Sequence, residues 1–295
     1  LNISTGNSPA IRWSRFSLDL DRRTHVIGVL NVTPDSFSDG GRFFETDRAV
    51  EQGIAMVRQG ADILDIGGES TRPYSGRIPA EEELNRVIPV IDALRKEVKV
   101  PISIDTLKAQ VAREALRAGA SIVNDISALR FDPEMPRIIA EAGVPVILMH
   151  MKGTPEDMQV QPVYDRILPE IIGFLRDALN RAEQGGIRRD LTIVDPGIGF
   201  GKTFDHNLEI IRDLKHLQCL ERPVLVGTSR KAFIGRILNK DADGRETGTM
   251  ATLAAAVMNG AHLVRVHDVE KAVETVRVID AIMRGRVSEP VSSKQ

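Results

Sequence analysis

Eight short runs of apolar, largely β-branched residues recur along the chain: 25–30 (HVIGVL), 62–66 (DILDI), 101–105 (PISID), 121–125 (SIVND), 145–150 (PVILMH), 191–195 (LTIVD), 223–227 (PVLVG) and 262–266 (HLVRV). Their hydrophobicity is nearly continuous, the pattern of strands buried on both faces in a parallel sheet. Segments of helical period separate them. After the first run Val50, Ile54 and Val57 share one face, with Gly60 as a stop. After the second, Leu84, Val87, Ile88, Ile91 and Leu94 keep helical spacing through Pro89. After the third, Thr106 is expected to cap a helix carrying Leu107, Val111 and Ala115, and after the eighth Asp268 caps one carrying Val269, Ala272, Val276 and Ile279. Strict alternation admits an open doubly wound sheet or a closed barrel. Eight units favour the closed α/β form, a (β/α)8 TIM barrel of roughly 250 residues. The 295 residues therefore read as one domain over 1–295, with a lead-in hairpin or plug over about 1–22 and a loose tail over about 287–295.

A core of this size needs no disulfide or structural metal. Cys219 is the one cysteine, which excludes internal disulfides and thiolate clusters and suits a reducing cytosol. With 39 basic and 41 acidic residues the net charge is −2, so neither a nucleic-acid nor a membrane surface is indicated. No run approaches the roughly 18 apolar residues of a membrane span. The polar segment 1–9 lacks the apolar stretch of a signal peptide, and a cytoplasmic location is expected.

In a barrel the active site lies at the C-terminal ends of the strands. Here the first strand leads to Asn31, the second to 67–73 (GGESTRP), the third to Asp105, the fourth to Asn124 and Asp125, and the fifth to Met149 and His150. Asp195 ends the sixth, Ser229, Arg230 and Lys231 follow the seventh, and Arg265, His267 and Asp268 belong to the eighth. A structural protein gains nothing from crowding such groups on one rim. Asp105, Asn124 and Asp195 present acceptors for a flat heterocycle with adjacent N–H groups, which a carboxylate meets by two parallel hydrogen bonds. Arg265 and His267, two apart on one strand, face the same way as an anion clamp. Ser229 is expected where the seventh helix begins, where free N–H groups favour a carboxylate or phosphate. The residues together suggest a cyclic, nitrogen-rich substrate bearing a phosphate or diphosphate.

The runs 31–41 (NVTPDSFSDGG) and 67–73 (GGESTRP) resemble the two signatures of dihydropteroate synthases. The shorter blocks 103–106 (SIDT), 124–126 (NDI), 195–202 (DPGIGFGK), 227–231 (GTSRK) and 265–268 (RVHD) match further family blocks in the family order, so the resemblance spans about 15–285. It implies condensation of a (7,8-dihydropterin-6-yl)methyl diphosphate with p-aminobenzoate by SN1-like substitution, giving 7,8-dihydropteroate and pyrophosphate. It also implies a pterin site of Asp105, Asn124, Met149, Asp195 and Lys231. The diphosphate would meet Asn31, Thr71, Arg265 and His267, with Asn31 bound to Mg²⁺. The p-aminobenzoate slot would comprise Phe37, Arg72, Pro73, Phe200, Ser229 and Lys231, and the catalytic set Asp105, Lys231, Arg265 and His267. Asp35 and Ser36 sit with Phe37 on the first of two loops expected to close over the substrates. Sulfonamides are the expected inhibitors and a homodimer the expected assembly. After Pro73 the family usually continues with Gly, whereas Tyr74 follows here.

Blander roles compete at several positions. Asp105 and Asp195 also suit helix caps, Asp125 and Asp268 braces or caps, His150 a structural position beside the site, and His25 the surface at the opposite rim. The triplet 201–203 (GKT) resembles the end of a P-loop, but Pro196 stands where that motif needs its first Gly. Two other functions use similar residues: a pterin-binding methyltransferase module, which would lack the diphosphate clamp and long loops, and a catalytically silent pterin-binding barrel, which should have lost some of the set from Asn31 to His267.

Overall fold

A computed structural model describes residues 10–33, 42–70 and 76–285, together with the backbone but not the side chains of 42–45. All eight expected strands form: β3 (His25–Asn31), β4 (Ile63–Gly67), β5 (Ile102–Asp105), β6 (Ile122–Asp125), β7 (Val146–Met149), β8 (Thr192–Asp195), β9 (Leu225–Val226) and β10 (Leu263–Val266). They pair in parallel in the order β8-β7-β6-β5-β4-β3-β10-β9. A parallel bridge from Val194 to Val224, with Val194 N–H donating to the Pro223 carbonyl at 2.9 Å, joins the two ends of that order and makes the sheet a barrel. The strands are short and almost wholly buried, as the uninterrupted apolar runs require.

Helices follow each strand: α1 (Arg42–Arg58), α2 (Ala80–Glu97), α3 (Ala109–Ala118), α4 (Met135–Ala142), α5 (Ile167–Gln184) and α6 (Phe204–Arg212) after the first six, then α7 (Ala232–Leu238) and α8 (Glu246–Met258) after β9, and α9 (Val269–Arg284) after β10. Helix α2 runs through Pro89, burying Val87, Val90, Ile91 and Leu94. Gly60, at φ +105°, ends the turn after α1 in a conformation that a Cβ would strain. Asp268 caps α9 by accepting from Lys271 N–H. None of the helices among the described residues is long and apolar enough to cross a membrane.

Three local expectations are corrected. Thr106 does not cap α3. That helix begins at Ala109, whose N–H is taken by Asp132 at 2.8 Å, while the Thr106 hydroxyl accepts from Lys108 N–H within a tight turn. Ser229 does not start the seventh helix either. The short extra helix α7 begins only at Ala232, and Ser229 lies in the turn before it. His25 is buried rather than a surface residue. The lead-in hairpin, β1 (Ile11–Trp13) with β2 (Phe16–Leu18), packs Ile11, Trp13, Leu18 and Leu20 into the core at the N-terminal ends of the strands. This hairpin covers His25, whose Nε2 meets the Asp19 carbonyl at 3.1 Å and whose Nδ1 lies 3.5 Å from Asp62.

Candidate active site

Register places Asn31, Gly67, Asp105 and Asn124 side by side across β3 to β6, because each is the parallel partner of the next. Met149 and Asp195 pair in the same way across β7 and β8. Each of these positions ends, or nearly ends, its strand, which puts the polar side chains at one mouth.

Arg265 shows that the side chains converge. It stands on β10, two strands from β4 and three from β5, yet its Nε donates to Asp65 at 2.6 Å and its Nη2 to Asp105 at 2.7 Å. Asp65 also accepts from the Asn124 amide at 3.2 Å, so the Asn124 carbonyl oxygen is the atom able to meet a ring N–H. Burial pushes the Asp105 carboxyl up from its usual range. Arg265 opposes that rise, while Asp65, Glu83 and Asp125 reinforce it. Burial would lower the guanidinium, but Asp65 and Asp105 hold it above its ordinary value. Two carboxylates thus share one fixed cation.

Across the mouth, Asp195 has one oxygen bonded to Gly197 N–H at 2.7 Å. Burial raises its carboxyl to about 6, against the pull of that bond and of Lys231, Lys202 and Arg265. Lys231 is lowered to about 8, first by desolvation and then by Arg265, while Asp195 and Asp105 act to keep it charged. Its ammonium lies 4.2 Å from the centre of the Phe200 ring, a cation–π contact. Met149 joins Ile126, Met151 and Met158 in a separate apolar cluster against which Leu107, Phe131 and Phe200 pack. The mouth therefore has an apolar floor beside an acidic edge.

His267 and Ser229 meet where β9 and β10 end. The hydroxyl lies 2.9 Å from His267 Nδ1 and accepts His267 N–H at 3.2 Å. Arg230 has φ +58°, rare for a residue with a side chain; its N–H is held by Thr249 and its carbonyl by Arg245. That fixed left-handed residue separates Ser229 from Lys231.

Several contributors were not singled out from sequence. Asp65 is fully buried, and an acid within an otherwise apolar strand was the available signal. At the foot of the second signature Lys108 bridges Glu69 and the fully buried Glu83, while Arg86 donates to the Gly68 carbonyl at 2.8 Å. Beyond that signature Arg77 lies 5.2 Å from the Phe131 ring centre and pairs with Glu156. Of the positions that were named from sequence, Asp125, expected as a brace or cap, accepts from the N–H groups of Ser127 and Leu129. His150 is buried with Nδ1 2.9 Å from Lys202 Nζ, and burial followed by that cation pushes the imidazole down to about 2. Thr203, far from cradling a phosphate, caps α6 in a reciprocal pair with His206. Phe37, Thr71, Arg72 and Pro73, with Asp35 and Ser36, lie outside the described residues.

The pterin binding enzyme family matches residues 27–267. A dihydropteroate synthase of Synechocystis is 48% identical over 277 residues, 94% of this chain and 96% of the relative. The Yersinia pestis dihydropteroate synthase, solved with a sulfonamide drug complex, superposes with a TM-score of 0.89 at 41% identity, covering 94% of this chain and all of that one. The Xanthomonas albilineans enzyme solved with 7,8-dihydropteroate gives a TM-score of 0.85 at 40% identity, covering 93% and 99%. With the barrel, the row of strand-end acceptors and this full-length likeness in agreement, the chain belongs to the pterin-binding enzymes and, within them, to the dihydropteroate synthase family.

Proposed function

We propose that the protein joins (7,8-dihydropterin-6-yl)methyl diphosphate to p-aminobenzoate, releasing pyrophosphate. One observation carries the reading: Asp105, Asp195 and Arg265, from three different strands, and Lys231, from the turn after β9, perturb one another's charge within a single mouth. Asp195 and Asn124 supply acceptors for the amino and N–H edge of the pterin, Lys231 a donor to its O4 and N5, and Met149 an apolar surface beneath it. Arg265 and His267, with Asn31 and Thr71, take the diphosphate. The C–O bond breaks and its electron pair leaves with pyrophosphate. The pterin-methyl cation is stabilised by Asp105, a buried carboxylate beside it, and is met by the aryl amine, which then loses a proton. Phe200, Ser229 and Lys231, with Phe37, Arg72 and Pro73, form the p-aminobenzoate slot.

Mg²⁺ fits the residues present. Among the described residues no three His, Cys, Asp or Glu side chains form a metal cage. Gly67, however, leaves space between Asn31 and Asp105, since a Cβ there would lie 3.8 Å from Asn31 Oδ1 and 3.6 Å from the Asp105 Cβ. One neutral oxygen beside a gap that a side chain would fill suits a cation that brings phosphate and water as its remaining ligands. When bound it would neutralise charge on the leaving diphosphate. Asn31 would orient that ion, and Arg265 would add a fixed positive charge beside it. A homodimer working in the cytoplasm, open to sulfonamide competition at the aryl slot, completes the proposal.

The test is release of pyrophosphate measured with each of the two substrates and Mg²⁺ omitted in turn. Dependence on all three, with competition between a sulfonamide and p-aminobenzoate, is expected. Release that ignores p-aminobenzoate, or none with all three present, overturns the assignment.

A further inference from the structure

The segment between β8 and α6, which carries Phe200, is held by side chains in an unusual way. Three successive carbonyls each accept from a different residue: Gly199 from Gln159 at 2.7 Å, Phe200 from Lys202 at 2.8 Å, and Gly201 from Tyr164 at 2.7 Å. Gly199 N–H is taken by Asn207 Oδ1 at 2.7 Å. Lys202 is 3% exposed, and among the described residues no direct ion pair holds it, Asp195 acting on it only at longer range. Its ammonium nitrogen also contacts His150 Nδ1 at 2.9 Å and the His150 carbonyl at 3.3 Å. A lysine buried with no carboxylate in direct contact is costly, and cheaper apolar solutions would fill the same volume. What it obtains there is a set of fixed acceptors that tie Phe200 to the end of β7. Glycine is obligatory at two joints of the segment. A Cβ at Gly197 would lie 2.0 Å from the His150 carbonyl oxygen and one at Gly201 2.6 Å from that of Lys152, both at positive φ.

We infer that Lys202, with Tyr164 and Gln159, is a positioning device that holds Phe200 as a rigid wall of the aryl-amine slot. The inference rests on the proposed activity for the identity of the slot, but not for the existence of the brace. Phe200 touches both the Lys231 ammonium and the Met149 cluster. A loosened Phe200 therefore blurs the wall of the slot, while Asp195 and Asn124, on their strands, keep their places.

Two measurements on the full chain decide it. In Lys202→Met, amide exchange within 197–203 should quicken at least about tenfold while β7 and β8 remain protected. KM for p-aminobenzoate should rise about tenfold with kcat within about threefold, and calorimetric affinity for a pterin in the presence of pyrophosphate should hold within about twofold. Tyr164→Phe, which keeps the ring and removes one bond, should move both readouts in the same direction by about threefold. Should Lys202→Met not fold, Tyr164→Phe and Gln159→Leu decide by the same readouts. Unchanged exchange in folded variants, or equal losses of pterin and p-aminobenzoate affinity, would overturn the inference. A wild-type protein that releases no pyrophosphate would sink the activity alone, because the exchange rates still test the brace.

Discussion

Arg265 holds one positive charge between two carboxylates that water scarcely reaches, at 2.6 and 2.7 Å. Replacing it leaves Asp65 and Asp105 buried without a countercharge in contact, so Arg265→Ala should lose stability as well as rate. The expected loss is about 3 kcal/mol by denaturant titration and at least about 10²-fold in kcat/KM. Asp105→Ala should lose as much rate while the fold survives, because Asp65 remains as the guanidinium's partner. Near-normal turnover in either variant would remove that residue from the chemistry. Asp195 and Lys231 set a pH window. A carboxyl raised to about 6 holds a proton below that pH, and an ammonium lowered to about 8 has lost one above it. Pterin binding wants the carboxylate ionised and the lysine charged. Affinity should therefore be greatest between these values and fall about tenfold per pH unit outside them. Calorimetric titrations from pH 5 to 9 check this, and a flat profile would exclude both groups as the ring's partners.

At the scale of elements, the loops do more than join strands to helices. The β8–α6 connection folds back so closely on the end of β7 that Gly197, at φ +69°, has no room for a methyl group. Gly197→Ala should cost at least about 2 kcal/mol and several degrees of Tm, through a clash with backbone and a strained left-handed residue. A calorimetric scan showing an unshifted transition would mean that the loop has an alternative path. The cap on α6 is more ordinary. Thr203→Ala removes one half of a reciprocal pair at an exposed position and should cost about 1 kcal/mol, leaving the site intact. The contrast separates residues that only end a helix from those that shape the mouth.

For the molecule as a whole, α9 exposes Val278 and Ile282 one turn apart, at 59% and 68%, and Met283 beside them. Such a face suits burial against a second copy. A dimer is expected by light scattering, and Val278→Lys with Ile282→Lys should yield a folded monomer; a wild-type monomer at all concentrations would end that expectation. The barrel itself was legible because buried parallel strands need uninterrupted apolar runs, and eight such runs separated by helical stripes admit few topologies. The site's outline was legible for the same reason, since polar groups that follow such strands must emerge at one end. The motif of an acid inside 62–66 (DILDI) carried a hint of Asp65, but one residue does not declare its partner two strands away. Likewise nothing local distinguishes Lys202 from a solvated lysine, or His25 from the surface histidine expected of a strand's first residue. Periodicity and composition act between neighbours in the chain, so by itself the sequence determined the elements, their order and the mouth where chemistry gathers. Which carboxylates share Arg265, which side chains hold Phe200 and how far Asp195 is pushed toward neutrality were decided only by tertiary structure, because desolvation and charge depend on what folding brings within a few ångströms.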